Sequence, residues 1–391
     1  MSEARHRAMS EARPRALRRL GLLATLPALL LAGLSAVGAS GQLTAPRHAL
    51  TSTTQTTVPR TVVSSDLEVV GNTLRLSSGT RFVVKGVEVY AVPFYLDGRA
   101  PDPTLAQFTA QVWSNPGALF AAIKATGANT VRIQVSSGVY VHNVYTSGGE
   151  AGYLARLTAI VDAATSQGLH VIVAWGDSLG YGAGLLTMYR TQFAMMRSVA
   201  RALRDNRAVL YEPDNEPNAI SWPQWLEVME ATIAFWQGTI GYGGPLIIDT
   251  RNFSWDFDPV YAAAIVKYDT ELMGRSRIVF ANHWYASGEP CFCGIYQKEW
   301  YSAVGSYTGQ FPVLGTEYGL YDGVGPTDNV AWGRQFLDYL AKVAIPAGLN
   351  GACAFTWNWV GPNTMLAPST GKLTAWGKIV VSDLLERHFA P

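Results

Sequence analysis

The sequence predicts an α/β chain closed into a (β/α)8 (TIM) barrel, a single catalytic domain with a small N-terminal hairpin. Three observations lead there. Eight short apolar runs alternate with eight helical patterns, the signature of parallel strands joined by crossover helices. The 391 residues suffice for one large barrel or two ordinary domains. Two of the apolar runs end in carboxylates, as strands do at the face of a barrel where active sites are built. An open doubly wound sheet is the runner-up, but no Gly-x-Gly-x-x-Gly follows the first strand.

In chain order, residues 1–19 are basic and residues 20–39 apolar, with small residues at Ala36-Val37-Gly38-Ala39. That pattern predicts a secretory signal peptide over 1–39, cleaved after Ala39, or a membrane anchor if it stays uncleaved. Met1-Ser-Glu-Ala-Arg recurs from Met9, so Met9 is an alternative start. Residues 40–65, rich in Thr and Ser, read as a linker. The catalytic domain is expected over 66–391. It begins with a hairpin turning at Gly71-Asn72, placed to cap the bottom of the barrel. Strands are expected over 82–89, 130–135, 169–174, 208–212, 245–249, 277–283, 311–316 and 351–356. Helices are expected over 115–126, 151–167, 187–205, 222–239, 259–268, 297–306, 329–344 and 375–387.

Composition narrows the function. A net charge of +1 gives no electrostatic case for nucleic acid or an anionic surface. Charged residues make up 15%, which suits a compact exported enzyme better than a disordered protein. The 12 Trp and 18 Tyr can be core, but their faces also stack on sugar rings. Six His, two of them outside the barrel, argue against a metal-dependent polysaccharide deacetylase. Cys291 and Cys293 make no convincing zinc site. Cys353, inside an apolar run, reads as a buried small residue. No metal and no cofactor are expected.

The first carboxylate stretch is Tyr211-Glu212-Pro213-Asp214-Asn215-Glu216-Pro217-Asn218, after the apolar Ala208-Val209-Leu210. Pro217 stops a central strand, so Asn215 and Glu216 belong at its carboxyl end. Read alone, this equally suits a helix N-cap or an acidic surface loop. The second stretch, Phe311-Pro312-Val313-Leu314-Gly315-Thr316-Glu317-Tyr318-Gly319, shifts the balance: another apolar run ends in a carboxylate, flanked by glycines as close packing requires. The interval between Glu216 and Glu317 leaves room for two more strands, which sets the pair after strands 4 and 7. Arg132 stands inside the apolar Thr130-Val131-Arg132-Ile133 and needs a buried partner. Glu212 and Asp214 compete with Glu216 by chemistry alone, but Glu212 is expected deeper in the strand, facing the interior.

Asn-Glu-Pro after an apolar strand, then Gly-x-Glu-x-Gly, resembles glycoside hydrolase family 5, the cellulase family of (β/α)8 retaining glycosidases. The resemblance runs over 66–391, with motifs at the ends of strands 2, 4, 6, 7 and 8. It implies Glu216 as acid/base and Glu317 as nucleophile, with no cofactor. It implies that Arg132 keeps the nucleophile ionised and that Asn215 binds the sugar 2-hydroxyl. Asn282-His283-Trp284-Tyr285 resembles the family's His-x-Tyr, which implies that Tyr285 donates to Glu317 and that His283 lines the subsite at the scissile bond. Trp357, in Thr356-Trp357-Asn358-Trp359, fits the family's sugar platform. Where many of these cellulases carry a histidine after strand 3, this chain has Trp175-Gly176-Asp177, and Trp175 and Asp177 are expected to make a different sugar contact. Tyr90, Tyr95, Tyr181 and Trp255 are further cleft candidates.

The expected function is thus a secreted, monomeric, retaining endo-β-1,4-glycanase acting on a polysaccharide or oligosaccharide, first an endoglucanase. A β-mannanase is the alternative, since the same barrel and glutamates serve both. A non-catalytic sugar-binding protein on this barrel ranks lower, because such proteins usually lose one of the carboxylates.

Overall fold

The computed structural model describes residues 65–89, 114–135, 149–176, 185–286, 291–320, 330–358, 363–367 and 370–387. The leader over 1–39 and residues 40–64 of the linker lie outside the described residues. The hairpin is present: β1 (Leu67–Val70) pairs antiparallel with β2 (Thr73–Leu76), and Gly71 takes the left-handed conformation its turn requires.

The barrel strands are β3 (Val84–Val89), β4 (Thr130–Val135), β5 (His170–Trp175), β6 (Val209–Glu212), β7 (Leu246–Asp249), β8 (Ile278–Tyr285), β9 (Val313–Gly319) and β10 (Gly351–Ala354). They close in chain order, β10 pairing with β3, and every pair is parallel. The crossover helices are α1 (Pro116–Ala125), α2 (Gly149–Ser166), α3 (Leu185–Ala202), α4 (Trp222–Ile233), α5 (Pro259–Met273), α6 (Ile295–Ala303), α7 (Val330–Tyr339) and α8 (Ala375–Val380). Several starts are written in the sequence. Asn115, Ser221, Asp258 and Thr374 cap α1, α4, α5 and α8 with their side chains, and Ser221 and Gln224 form a reciprocal capping box.

Alternation along each strand sorts the residues into two cores. Val131, Ile133, Val171, Val173, Tyr211, Ile248, Phe280 and Trp284 point outward to the helices. Val84, Ile172, Leu210, Ile247, Val279, Leu314 and Cys353 point inward and form an apolar floor with Leu67, Val69, Leu74 and Phe82 of the hairpin region. Asn350 fastens the hairpin to this floor: its Oδ1 accepts from Leu74 N–H at 2.8 Å and its Nδ2 donates to the Asn72 carbonyl at 2.9 Å. The hairpin therefore caps the bottom of the barrel. Cys353 is free and buried, while Cys291 and Cys293 are joined as a disulfide.

Strand boundaries fall within a few residues of expectation, with one informative difference. β9 runs on to Gly319, so Glu317 lies inside the strand rather than beyond it. The ladder with β8 slips between Asn282↔Gly315 and His283↔Glu317, leaving Thr316 as an extra residue. Such a bulge re-aims the side chains that follow. Gly319 is required beside it, because a Cβ there would lie 2.8 Å from both Asn363 Oδ1 and Tyr285 Cε1.

Candidate active site

Above the apolar floor, the inward-facing residues at the carboxyl ends of the strands form one ionic layer. Arg132 of β4 is fully buried at its centre. Its Nη1 donates to Glu88 Oε2 at 2.6 Å and to Glu317 Oε1 at 2.5 Å. Its Nε and Nη2 donate to the two Glu212 oxygens at 2.7 and 3.0 Å, and Nη2 also donates to Asn215 Oδ1 at 2.6 Å. Burial alone would favour loss of the guanidinium proton. The carboxylates of Glu212, Glu88 and Glu317 hold it well above its ordinary range instead.

Glu317 is 4% exposed. Its Oε1 also accepts from Gln134 Nε2 at 3.1 Å, and its Oε2 accepts from the Tyr285 hydroxyl at 2.5 Å. Burial favours the neutral acid, but His283, Arg132 and Tyr285 together hold the carboxyl below its usual range, so it is an anion at neutral pH. Burial and the neighbouring Glu317 push the Tyr285 phenol well up, which keeps its hydrogen for donation.

Glu216 stands in a different environment. β6 ends at Glu212, where Pro213 has no N–H to continue the ladder. The chain then turns, with Glu216 and Ala219 in the left-handed region at φ 55 each. The Glu216 side chain is 28% exposed, against 5% for Glu317. His283, from β8, joins the two. Its Nδ1–H donates to Glu216 Oε1 at 3.1 Å and lies 3.6 Å from Glu317 Oε2, and its Nε2–H donates to Thr316 Oγ1 at 3.0 Å. One oxygen of Glu216 and one of Glu317 lie within 4.8 Å of each other and of His283. Burial would favour neutral imidazole, but Glu317, Glu216 and Asp249 outweigh it and raise the ring to about 9, so both nitrogens are donors.

The end of β7 completes the layer. Asp249 is fully buried. Its Oδ1 accepts from the Glu216 backbone N–H at 3.2 Å and from the Ser254 hydroxyl. The turn that follows holds Asn252, Phe253 and Ser254 at φ 58, 61 and 57. Three successive left-handed residues with side chains cost about 1–2 kcal/mol each, so the surroundings must enforce them. Asn282 Nδ2 donates to the Ser254 carbonyl at 2.8 Å, and Phe253 N–H donates to the Pro217 carbonyl at 3.3 Å.

Two acids of this layer are shifted toward their neutral forms. Burial, then the nearness of Glu317, pushes Glu88 well above the usual carboxylate range; burial, then Glu212, does the same to Asp249. Glu212, Asp249 and His283 also meet the donor count for a divalent ion. Two of the three are already engaged, however: Arg132 takes both Glu212 oxygens, and Thr316 and Glu216 take both His283 nitrogens.

Seven of the nine residues expected from sequence meet here or close by: Glu216, Glu317, Arg132, Asn215, His283 and Tyr285 in the layer, and Trp357 beside it. Trp357 is 3% exposed, its backbone N–H donating to the Glu88 carbonyl at 2.8 Å. Trp175 corrects an expectation. On β5 it falls in the outward phase with Val171 and Val173, fully buried against Trp236 and Tyr211, so it cannot touch a sugar in the barrel mouth. Asp177 lies outside the described residues, as do Tyr90, Tyr95 and Tyr181. Glu88, Gln134, Asp249, Ser254 and Thr316 escaped the sequence reading. Glu88 and Asp249 carried the signal that exposed Arg132, a charge at the inward phase of an apolar strand.

The layer makes stability depend on pH. His283 is raised from 6.5 to about 9, so its contribution is full below 6.5 and is lost as pH rises through 9. Glu88 and Asp249, also raised, act in the same direction; Glu317, lowered, adds stability above 4.5 that is lost as pH falls. The thermal midpoint is therefore expected to fall from pH 6.5 to 9, and His283→Gln to reduce that fall. A wild-type midpoint constant over this range would contradict the assignment.

Comparison with known proteins agrees with the geometry. Over 201 residues the chain is 28% identical to "Endoglucanase E-5" of Thermobifida fusca, covering 49% of this chain and 39% of that protein. Over 342 residues it is 22% identical to "Mannan endo-1,4-beta-mannosidase" of Cellvibrio japonicus, covering 82% of this chain and 66% of that protein. The matches thus span less than two thirds of either relative. Among solved structures, the β-glucanase SdGluc5_26A of Saccharophagus degradans superposes with a TM-score of 0.63 at 20% identity, covering 83% of this chain and 94% of that one, a likeness of fold. The profile of the family described as "Cellulase (glycosyl hydrolase family 5)" matches residues 96–359, and the chain belongs to that family.

Proposed function

We propose that the protein is a retaining endo-β-1,4-glycanase that cleaves its substrate by double displacement. One observation carries the reading: one oxygen of Glu216 and one of Glu317 lie within 4.8 Å of each other, in unlike environments. Retaining enzymes hold their two carboxyl groups about 5–5.5 Å apart, whereas inverting enzymes leave roughly 6.5–9.5 Å for a water. Glu317, ionised by Arg132, His283 and Tyr285, is the nucleophile. Glu216, the more open of the two, is the acid that protonates the leaving oxygen and then the base that activates water. Arg132 occupies the Asn215 carbonyl, which leaves the Asn215 amide hydrogens to donate to a sugar 2-hydroxyl. Trp357 is the candidate sugar platform.

A β-1,4-glucan is the first substrate and a β-1,4-mannan the second. Likeness to an endoglucanase and to a mannan endo-mannosidase supports both. Reducing-sugar release from soluble β-glucan derivatives and from mannans, assayed side by side, separates them. Release from glucan alone is the expected result; release from mannan alone keeps the glutamate roles and changes the sugar; release from no glycan removes the enzymatic reading.

The roles of the glutamates are tested by substitution. Glu317→Gln should abolish turnover of every substrate while keeping the fold, and near-normal activity would exclude it as nucleophile. Glu216→Ala should lose about 10²–10⁴-fold in kcat/KM on the polysaccharide, yet less than about tenfold in kcat/KM on aryl glycosides with good leaving groups, which need little acid help in the first step. Equal losses on both would exclude it as the acid.

We also propose that the protein is exported. A basic segment followed by an apolar one over residues 1–39 supports this. No helix among the described residues is long and apolar enough to cross a membrane. N-terminal sequencing of protein from the culture medium should begin near Ser40, and a cell-bound protein retaining residues 1–39 would argue for an anchor instead.

A further inference from the structure

The two turns that leave β6 and β7 are bound to each other at every level, and Asp249 is the point where they meet. The Glu216 turn offers its backbone N–H to Asp249 Oδ1 at 3.2 Å. The Arg251–Ser254 turn offers the Ser254 hydroxyl to the same oxygen. Phe253 N–H reaches back to the Pro217 carbonyl at 3.3 Å, and Arg251 Nη1 to the Ile220 carbonyl at 3.1 Å. Trp225, on the helix that follows the first turn, donates its indole N–H to the Asp249 carbonyl at 2.9 Å. Glu216 sits in the left-handed region at φ 55, and Asn252, Phe253 and Ser254 do the same at φ 58, 61 and 57. Side chains rarely accept that conformation without a partner to enforce it.

We propose that Asp249 is the positioning residue for Glu216: through one oxygen it ties the strained Glu216 backbone to the strained turn after β7, and this tie sets where the Glu216 carboxyl meets the bond to be cut. The proposal rests on the reading of Glu216 as acid/base and deepens it. Asp249 touches no substrate, because it is fully buried beneath the turn. It acts through the backbone of Glu216, while His283 fixes the other end of the same residue at its carboxylate. A carboxyl held at both its backbone and its oxygen keeps the short reach that proton transfer demands.

Asp249 suits this task as an acceptor. One oxygen accepts from both Glu216 N–H and Ser254 O–H. An asparagine keeps that acceptor oxygen at the same reach. An alanine removes it.

The test uses the full-length enzyme on a series of aryl β-cellobiosides, or β-mannobiosides if mannan is the substrate, with phenols from dinitrophenol to unsubstituted phenol. Asp249→Ala should lose about 10–100-fold in kcat/KM on the poorest leaving group but less than about threefold on the best, because kcat/KM reports the first, acid-assisted step. Asp249→Asn should recover to within about threefold of wild type on both. Equal losses across the series for Asp249→Ala, or Asp249→Asn as impaired as Asp249→Ala, would overturn the proposal. If Asp249→Ala does not fold, Ser254→Ala removes the other bond to the same oxygen; it should show the same leaving-group slope in weaker form, and a flat loss or none would overturn the proposal. Glu216→Ala in the same series separates the two ideas. A slope there with none for the Asp249 and Ser254 variants sinks only the positioning role, whereas no slope for Glu216→Ala sinks the acid/base reading and this inference with it.

Discussion

A single guanidinium organises the mouth of this barrel. Arg132 holds Glu88, Glu212, Asn215 and Glu317, residues of β3, β6, the turn after β6, and β9. Removing such an ion from water is expensive unless every donor finds an acceptor. Three nitrogens make five hydrogen bonds here, so the cost is met and the geometry is over-determined. Each partner is thereby fixed relative to the others. Glu317 is held as an anion and the Asn215 carbonyl is turned away from the cleft. Glu212, which by residue type alone competed with Glu216, is committed to the arginine through both oxygens.

The layer works because of what lies beneath it. The inward residues of the lower barrel are Val84, Ile172, Leu210, Ile247, Val279 and Leu314, sealed from below by the hairpin. Little water reaches the ionic layer from that side, and electrostatic interactions strengthen as solvent is excluded. The same exclusion forbids a large net charge. Burial, with Glu317 beside Glu88 and Glu212 beside Asp249, shifts both of these acids toward their neutral forms.

The fold was largely legible because buried parallel strands read as apolar runs and the helices between them read as amphipathic patterns. Arg132 and Glu216 were legible for a related reason: a charge or a carboxylate interrupts an apolar run where only function or a buried partner explains it. Glu88 and Asp249 interrupt their runs in the same way, but their partners lie far along the chain, at Arg132 and at Glu216. Nothing local to either residue indicates which pairing it makes. Trp175 misled because its place at a strand end outweighed its phase; counting by twos from Val171 and Val173 puts it among the helices. The inward aim of both Thr316 and Glu317 follows from a bulge, which depends on the register between β8 and β9 and leaves no mark beyond Gly315 and Gly319.

His283 couples the two carboxylates in a way that bears on the second half of the proposed reaction. Against the cost of burial, the attraction of Glu317 is the largest of those that keep the imidazole protonated. When Glu317 becomes an ester in the glycosyl-enzyme, its charge disappears and that attraction goes with it. The imidazole proton is then held less tightly, and the bond it donates to Glu216 Oε1 loses cationic character. The 3.1 and 3.6 Å contacts of one ring nitrogen place a single imidazole against both carboxylates.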